Sequence, residues 1–361
     1  MLRRQPANIS AVNGRGIVRN MIGVAYAQSG ELAKSVEWMR QAAADYETGT
    51  QHDPTGTTFW GNLINTRGRV VAQLRAMGRL SESAEELRKS LALERKIVVA
   101  GRTATVLANT AWQLAQVETM LGHSGAASEA LAELSRFETI ALKDAPAESE
   151  RRLNQREREA QRTRQLLRLR RGAEAEIYAS AREAVARLEK NGVEIDGDES
   201  FFVEAGQGGG LLPTARYDLA AAALRLGKFA EAETVARVAA NALVLAGASR
   251  HDQRIDLARV RMVEALAMAR QGRGADGLAR VEPLVALARE NLKTHAEHAG
   301  AIPLLAEALF VQAVAQPPEA RERRRALLEE ARALMAEIKG ETAGLAEVQE
   351  LRDPLAQELA K

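Results

Sequence analysis

The sequence of 361 residues contains no cysteine. Disulfide frameworks, thiol nucleophiles and cysteine-ligated zinc or iron–sulfur sites are therefore excluded. Aromatic residues make up only 4% of the chain, and valine, isoleucine, threonine and tyrosine never cluster in the alternating runs that a strand requires. Charge of one sign is not in excess either, because 50 lysines and arginines against 48 acidic residues leave a net charge of +2. That balance by itself indicates neither nucleic acid nor a membrane as partner.

Long hydrophobic runs and a targeting segment are missing as well. No stretch approaches the ~18 consecutive apolar residues of a membrane-spanning helix. Residues 1–8 carry two arginines but lack the apolar core of a secretory signal. We therefore expect a soluble, cytoplasmic protein without a membrane partner.

The residues present in excess are alanine, leucine, arginine and glutamate. All four are strong helix formers, and alanine is the best of them. The hydrophobic content of 46% is ordinary for a soluble globular chain. Helix is therefore predicted everywhere outside the loops.

A short pattern that ends in glycine recurs along the chain. In each copy one apolar-periodic run ends near the glycine and a second run begins after it. The glycines of the five copies are Gly30, Gly78, Gly122, Gly227 and Gly272. The steps between neighbouring copies are 48 and 44 residues in the first half and 45 in the second. Because glycine tolerates the positive φ at which a helix can stop and reverse, the pattern predicts helix hairpins.

Small residues accompany these glycines at fixed distances. Seven residues before the glycine stand Gly23, Ala115, Ala220 and Ala265. On the second helix the small residues are Ser35, Ser83, Ala127, Ala232 and Gly277. Small side chains at helical spacing predict that the two helices of each hairpin pack closely.

In these features the chain resembles the tetratricopeptide repeat family. The matching residues are Ile22, Gly23, Tyr26, Gly30, Ser35, Met39 and Ala42 in the first copy, and Leu219, Ala220, Ala223, Gly227, Phe229, Ala232, Ala236 and Ala239 in the fourth. The family's usual period is ~34 residues. Steps near 45 residues therefore predict longer helices, of about twenty residues and ~30 Å each. The family's apolar positions are also filled by acids at Glu118 and Glu264.

The resemblance implies an all-α fold, a right-handed α-α superhelix (solenoid) of about six hairpins. It also implies a non-catalytic scaffold that binds a peptide or protein along its concave groove. The Arg- and Ala-rich hairpins look like the repeat regions that follow eukaryotic-type Ser/Thr kinase domains or helix-turn-helix regulators. We therefore expect a part of a larger bacterial signalling protein, with the identity of its partner and its oligomeric state left open.

Two further turns depart from the glycine pattern. A sixth hairpin, residues 301–338, has Gln316, Pro317 and Pro318 in place of the turn glycine, and proline breaks a helix by removing a donor. Gly172 lies 50 residues after Gly122 and 55 before Gly227. It is either the turn of a degenerate hairpin or a residue inside one long helix, and the sequence leaves both open.

Composition divides the sequence into three segments. Residues 1–142 hold the N-terminal hairpins, residues 143–210 form a charged helical segment with a glycine-rich loop, and residues 211–361 hold the C-terminal hairpins with a closing helix. The strongest boundary signal lies in residues 191–210.

The two ends of the sequence carry different signals. After Asp353 and Pro354, an amphipathic helix from Leu355 to Ala360 is predicted to close the array. No polar cap precedes Val18, and a repeat array needs one at each end. We therefore expect the sequence to be the C-terminal portion of a larger protein.

Motifs for catalysis or metal binding are not found in the sequence. His295 and His298 are three residues apart, whereas a zinc-protease helix needs two histidines four apart with glutamate after the first. The glycine-rich run from Gly206 to Gly210 matches neither phosphate-loop pattern and follows no predicted strand, so we interpret it as a linker. We therefore expect no enzyme, no cofactor and no metal site.

One stretch is strongly basic, with nine arginines between Arg151 and Arg171 against Glu157 and Glu159. A solvated helix face explains it most simply. The alternatives are binding of an acidic protein segment and binding of nucleic acid, and the second is less favoured because no aromatic residues interleave for base stacking.

The family resemblance implies that partners bind to the first helix of each hairpin. In the N-terminal half the corresponding residues are Asn20, Gln28, Asn65, Arg75, Asn109, Trp112 and Gln116. In the C-terminal half they are Tyr217, Arg225, Arg259, Met262 and Arg270. Amides suit the backbone groups of an extended peptide, whereas arginines suit carboxylates or phosphates. Trp112 and Tyr217 are the aromatic candidates for anchors, with packing in the core as the alternative for Trp112.

Overall fold

The computed structural model describes residues 9–53, 57–95, 102–141, 143, 150–169, 172–190, 211–245 and 251–361. Within these residues the chain is α-helical apart from turns, bends and short 3-10 segments, and it contains no strand. The predicted all-α class is therefore confirmed. Of the helices in this described part, none combines the length and hydropathy that crossing a bilayer requires.

The chain divides into two compact units. Unit 1 comprises Met1–Asp144 with Thr294–Ala299, and unit 2 comprises Ala145–Lys293 with Gly300–Lys361. Residues 191–210, where the sequence places its strongest boundary signal, lie outside the described residues.

Three consecutive helix hairpins make up the part of unit 1 that the structure describes. Its helices are α1 Ile9–Gln28, α2 Leu32–His52, α3 Thr57–Ala76, α4 Leu80–Glu94, α5 Arg102–Met120 and α6 Ser124–Ala141. Each helix packs on the next one along the chain, and α1 also contacts α3. Neighbouring hairpins therefore stack, as in an α-helical solenoid.

The described residues of unit 2 form four hairpins and one further helix. Its helices are α7 Glu150–Arg168, α8 Glu174–Lys190, α9 Leu211–Arg225, α10 Phe229–Leu245, α11 His251–Arg270, α12 Gly274–Thr294, α13 Ala301–Val314, α14 Arg321–Glu337 and α15 Ala346–Leu359, with a 3-10 turn at Gly340–Gly344. The first helices also contact one another in the series α7, α9, α11, α13 and α15. These first helices therefore form one layer of unit 2.

All five turn glycines predicted from the repeat lie between two helices with positive φ, from +70° at Gly78 to +81° at Gly272. At Gly30 the glycine N–H donates to Ala27 O at 3.1 Å, and the Glu31 N–H donates to Tyr26 O at 2.9 Å. This pair of bonds satisfies carbonyls at the end of α1 and is the Schellman arrangement. The same pattern of bonds recurs at the other four glycines.

The two departures from the glycine pattern are also turns. Gly172 has φ +76° and lies between α7 and α8, so the charged segment is a hairpin and not one long helix. Gln316, Pro317 and Pro318 lie between α13 and α14, as predicted.

The small residues flanking the turns are buried where the helices of a hairpin meet. A Cβ atom built on Gly23 would lie 2.7 Å from Met39 Cγ and 3.2 Å from Ser35 O on α2. A Cβ atom on Gly277 would lie 2.9 Å from the backbone oxygen of Ala265 on α11. These distances confirm the close approach that the small residues predict.

Replacing Gly277 by alanine should destabilise unit 2 by about 1–3 kcal/mol, because the added methyl group forces α12 away from the backbone of α11. This loss exceeds the roughly 1 kcal/mol that alanine gains over glycine in a helix. Urea unfolding followed by far-UV circular dichroism measures the change. The control is Gly68→Ala in α3, where a Cβ meets nothing within 4 Å. It should be neutral or stabilising, and a stabilised Gly277→Ala variant would contradict the close packing.

The largest buried cluster of unit 2 is built by α11 to α15. Val348, Leu351 and Leu355 attach α15 to it, at an i, i+3, i+7 spacing that faces one side of the helix. The predicted closing helix is present but begins nine residues earlier than Leu355, because α15 begins at Ala346 and continues through Pro354.

Candidate functional site

Four arginines on the first-helix layer of unit 2 lie around α15, and we call them the arginine face. They are Arg168 at the end of α7, Arg225 at the end of α9, and Arg259 and Arg270 on α11. Their side chains are 18–31% exposed, so part of each side chain remains at the surface. Three of the four are residues that the sequence predicts for the groove.

Glu350 of α15 is bound by two of these arginines. Arg168 Nε donates to Glu350 Oε1 at 2.8 Å, and Arg168 Nη2 donates to Glu350 Oε2 at 3.0 Å. Arg225 Nη2 lies 2.9 Å from Glu350 Oε2. The two-pronged contact with Arg168 is the geometry that makes arginine selective for carboxylates.

The remaining two arginines bind glutamates at either end of α15. Arg259 Nη1 donates to Glu347 Oε1 at 2.9 Å, and Arg270 Nη2 donates to Glu358 Oε1 at 2.6 Å. Both pairs are separated by 88 residues, so α15 runs in the same direction as α11. Arg324 on α14 also donates to Glu358.

The arginines keep these glutamates ionised. Burial alone would raise the pKa of Glu350, but the charges of Arg168 and Arg225 outweigh it and lower the pKa to about 2. Burial likewise works to raise the pKa of Glu358, whereas hydrogen bonds from Lys361 and Arg270 lower it to about 2. The ion pairs of the arginine face therefore persist across the physiological pH range.

One carboxyl group near the face behaves differently. Burial raises the pKa of Glu307 on α13 to about 7, and the negative charges of Glu350 and Glu347 add to this effect while Arg259 opposes it. Glu307 thus accommodates two neighbouring carboxylates by holding its own proton more tightly.

A cavity of about 130 Å³ lies beside the arginine face. Its lining includes Arg168, Tyr217, Asp256, Arg259 and Glu347. The Arg168 guanidinium lies 5.5 Å from the centre of the Tyr217 ring, and burial raises the pKa of the Tyr217 hydroxyl to about 12. Tyr217 is therefore part of the wall that supports Arg168.

In unit 1 the first helices are linked by polar side chains. Asn62 Nδ2 donates to Asn13 Oδ1 at 3.4 Å between α3 and α1, and Thr66 Oγ1 donates to Asn20 Oδ1 at 3.5 Å. Arg75 Nη2 donates to Gln116 Oε1 at 3.2 Å between α3 and α5. The predicted residues Asn20, Arg75 and Gln116 therefore take part in links between neighbouring hairpins.

The other predicted groove residues differ in exposure. Gln28 and Asn65 are exposed, and Asn109 is half-buried. Trp112 is 3% exposed and Met262 is 1% exposed, so both are core residues in this structure and offer little surface to a partner.

The basic stretch contributes inward-facing as well as outward-facing arginines. Arg164 is 1% exposed and its Nε donates to Asp218 Oδ2 on α9 at 2.8 Å, while Arg168 belongs to the arginine face. The side chains of Arg151, Arg152, Arg170 and Arg171 lie outside the described residues. At least two arginines of α7 therefore attach this helix to other helices of unit 2.

Sequence reasoning missed Arg168 and the glutamates of α15 as members of this site. The available signal was the spacing of Glu347, Glu350 and Glu358, which repeats along one side of a helix beside the apolar residues. Across the described residues there is no group of three or more histidine, aspartate or glutamate side chains that could hold a metal ion.

No protein-family model matches the chain, and no curated protein does. The likeness to the tetratricopeptide repeat therefore rests on the repeat residues of this sequence alone.

Proposed function

We propose that this chain is a non-catalytic interaction scaffold whose arginine face binds a carboxylate-bearing helical segment of a partner protein. One observation carries the proposal: Arg225, Arg259 and Arg270, expected from the sequence to meet a partner, each hold a glutamate of α15. An acidic helix is thus the kind of ligand that fits the chemistry of this face.

The geometry supports a helix more than an extended peptide. Glu347, Glu350 and Glu358 are three and eight residues apart, which brings them to one side of α15. The arginines that meet them come from three different hairpins, so the face spans several repeats. Peptide-binding proteins commonly bind the apolar face of an amphipathic helix in a groove, and others recognise acidic motifs with clusters of arginine.

Charge reversal of the face should abolish partner binding. In the variant Arg225→Glu/Arg259→Glu/Arg270→Glu, the carboxylates introduced would repel an acidic segment. The test is affinity capture with the full chain as bait, comparing proteins recovered by the native chain and by the variant. We expect a partner with an acidic amphipathic helix to be lost by the variant.

A matched control reverses three arginines that lie on second helices and away from the face. Arg237→Glu/Arg289→Glu/Arg325→Glu changes the net charge by the same amount at exposed side chains. It should recover the same partners as the native chain. Recovery of every partner by both variants would refute the proposed role of the face.

A further inference from the structure

The arginine face is already occupied, and the way α15 occupies it indicates regulation. We infer that α15 is an intramolecular competitor, which must leave the arginine face before a partner helix with the same acidic and apolar pattern binds there. This inference rests on the proposed function of the face.

The first argument is the construction of the segment that carries α15. Residues 336–347, all of them described, include no buried residue between Met335 and Val348. The 3-10 turn in this segment begins at Gly340, with φ +62°. Ile338 and Leu345 pack against the buried cluster of unit 2 only as partly buried side chains. Movement of α15 therefore releases little apolar surface from its connection to α14.

The second argument is the small apolar surface of α15. Val348, Leu351 and Leu355 are the buried apolar residues of this helix, and Leu359 packs on the same cluster as a partly buried side chain, whereas α13 buries ten apolar residues. Much of its remaining attachment consists of long arginine side chains that reach Glu347, Glu350 and Glu358. An exchangeable helix requires contacts of this type, because another helix with carboxylates at the same spacing reproduces them.

The third argument concerns the arginines that α15 would leave. Arg168, Arg225, Arg259 and Arg270 are half-buried, and removal of α15 takes away the glutamate that each one holds. A helix that covers these arginines again desolvates them, and desolvated charge without a partner is costly. An incoming ligand is therefore required to supply carboxylates, which selects an acidic helix over a basic or neutral one.

Competition should be visible with a labelled peptide of residues 345–361 as the probe, added to the full chain. The variant Glu347→Gln/Glu350→Gln/Glu358→Gln weakens the attachment of α15 but keeps every arginine. Peptide affinity measured by fluorescence anisotropy should increase about tenfold or more. Molecules in which α15 covers the arginine face cannot bind the peptide, and the variant contains a smaller fraction of them. A short linker otherwise gives α15 an effective concentration on the order of millimolar.

Matched controls separate the attachment of α15 from general charge effects. Glu183→Gln/Glu189→Gln/Glu329→Gln removes three glutamates that also pair with arginines but lie on exposed surfaces. This variant should bind the peptide as weakly as the native chain. Far-UV circular dichroism checks that both triple variants keep their helices.

A covalent tether tests the same idea with all four arginines of the arginine face kept, although Glu358→Cys also removes one of the three glutamates that attach α15. The chain has no cysteine, so Arg324→Cys/Glu358→Cys creates the only thiols, on α14 and α15. Bridging them with a short bis-maleimide should abolish peptide binding, whereas blocking them with a monofunctional maleimide should leave it intact. This pair of samples decides the question if the triple glutamine variant loses helicity.

The outcomes distinguish the inference from the function on which it rests. Equal peptide binding by tethered and blocked chains, lost on Arg225→Glu/Arg259→Glu, would overturn competition and leave the arginine face as a binding site. If the triple glutamine variant of α15 keeps its helices but does not bind the peptide, both the competition and the binding role of the arginine face are overturned. Tighter peptide binding by the triple glutamine variant, together with no binding by the cross-linked chain, would establish both claims.

Discussion

Replacing Arg164 by methionine is expected to destabilise unit 2 by about 3–5 kcal/mol, because Asp218 would remain as a buried charge without its partner. The two side chains are 1% and 2% exposed, and they join α7 to α9 with a 2.8 Å contact. Burial raises the pKa of Asp218 although Arg164 and Arg168 act to lower it. The carboxylate is thus already poorly solvated, and Arg164 is its main source of compensation.

The double variant Arg164→Met/Asp218→Val should recover at least half of that loss. Removing both charges eliminates the desolvation cost together with the attraction, and apolar replacement of buried ion pairs is often nearly neutral. Urea unfolding followed by far-UV circular dichroism measures both variants. As a surface comparison, Arg325→Met breaks the exposed pair with Glu329 and should cost less than about 1 kcal/mol. If Arg164→Met lost no more stability than Arg325→Met, the buried ion pair would be refuted.

The buried ion pair also determines the position of Arg168 in the arginine face. Arg168 lies one helical turn after Arg164 on α7, so the buried pair fixes the helix that presents Arg168 to Glu350. Loss of Arg164 should therefore weaken the arginine face as well as the fold. Far-UV circular dichroism is preferred to tryptophan fluorescence for these variants, because Trp38, Trp60 and Trp112, the three tryptophans of the chain, all belong to unit 1 and not to the unit that contains Arg164.

Replacing Glu94 by glutamine should stabilise unit 1 at pH 8 and have almost no effect at pH 4. Glu94 on α4 is 1% exposed, Thr110 donates to its Oε1 at 3.2 Å, and its Oε2 has no hydrogen-bond partner. Burial raises the pKa of Glu94 from its ordinary value of 4.5 to about 7. Ionisation of the Glu94 carboxyl group in this apolar site therefore lowers the stability of the folded unit.

The sign of the pH dependence follows from the two states. Below pH 4.5 the carboxyl group is protonated in both folded and unfolded chains, so it causes no penalty. As the pH rises from 4.5 to about 7, the unfolded chain ionises first and the folded state loses stability. At 1.36 kcal/mol per pH unit, the full penalty is about 3 kcal/mol. Glutamine can keep the bond from Thr110 without this penalty.

Tryptophan fluorescence during urea unfolding is the appropriate measurement, because it reports on unit 1. The control is Glu85→Gln on the same helix, where a hydrogen bond from Lys89 lowers the pKa of an exposed carboxyl group. Glu85→Gln should give no gain at high pH. Equal stabilisation of the Glu94 variant at pH 4 and pH 8 would contradict an ionised, buried Glu94.

Local requirements explain which parts of the fold could be predicted from sequence. A turn that needs positive φ selects glycine, so the reversals at Gly30, Gly78 and the later copies are visible in the sequence. Close helix packing selects small side chains for an equally local reason, as at Gly23 and Gly277. Gly172 had the same chemistry but no repeat pattern around it, and its role emerged only with the structure.

Long-range pairing explains what sequence could not reveal. Glu118 is fully buried on α5, and Arg88 on α4 and His123 donate to it. Nothing near Glu118 in the sequence points to Arg88. Arg168 and Glu350 are 182 residues apart. The sequence predicts that the groove arginines suit carboxylates or phosphates, but it could not reveal that α15 of the same chain supplies carboxylates to them.

The order of synthesis gives this last pairing a temporal consequence. Arg168, Arg225, Arg259 and Arg270 leave the ribosome well before the glutamates that neutralise them, since the first of these is Glu347. During that interval the nascent first-helix layer presents four cations without these counter-charges. Unit 2 therefore acquires its final electrostatic surface only when residues 347–358 have emerged and folded.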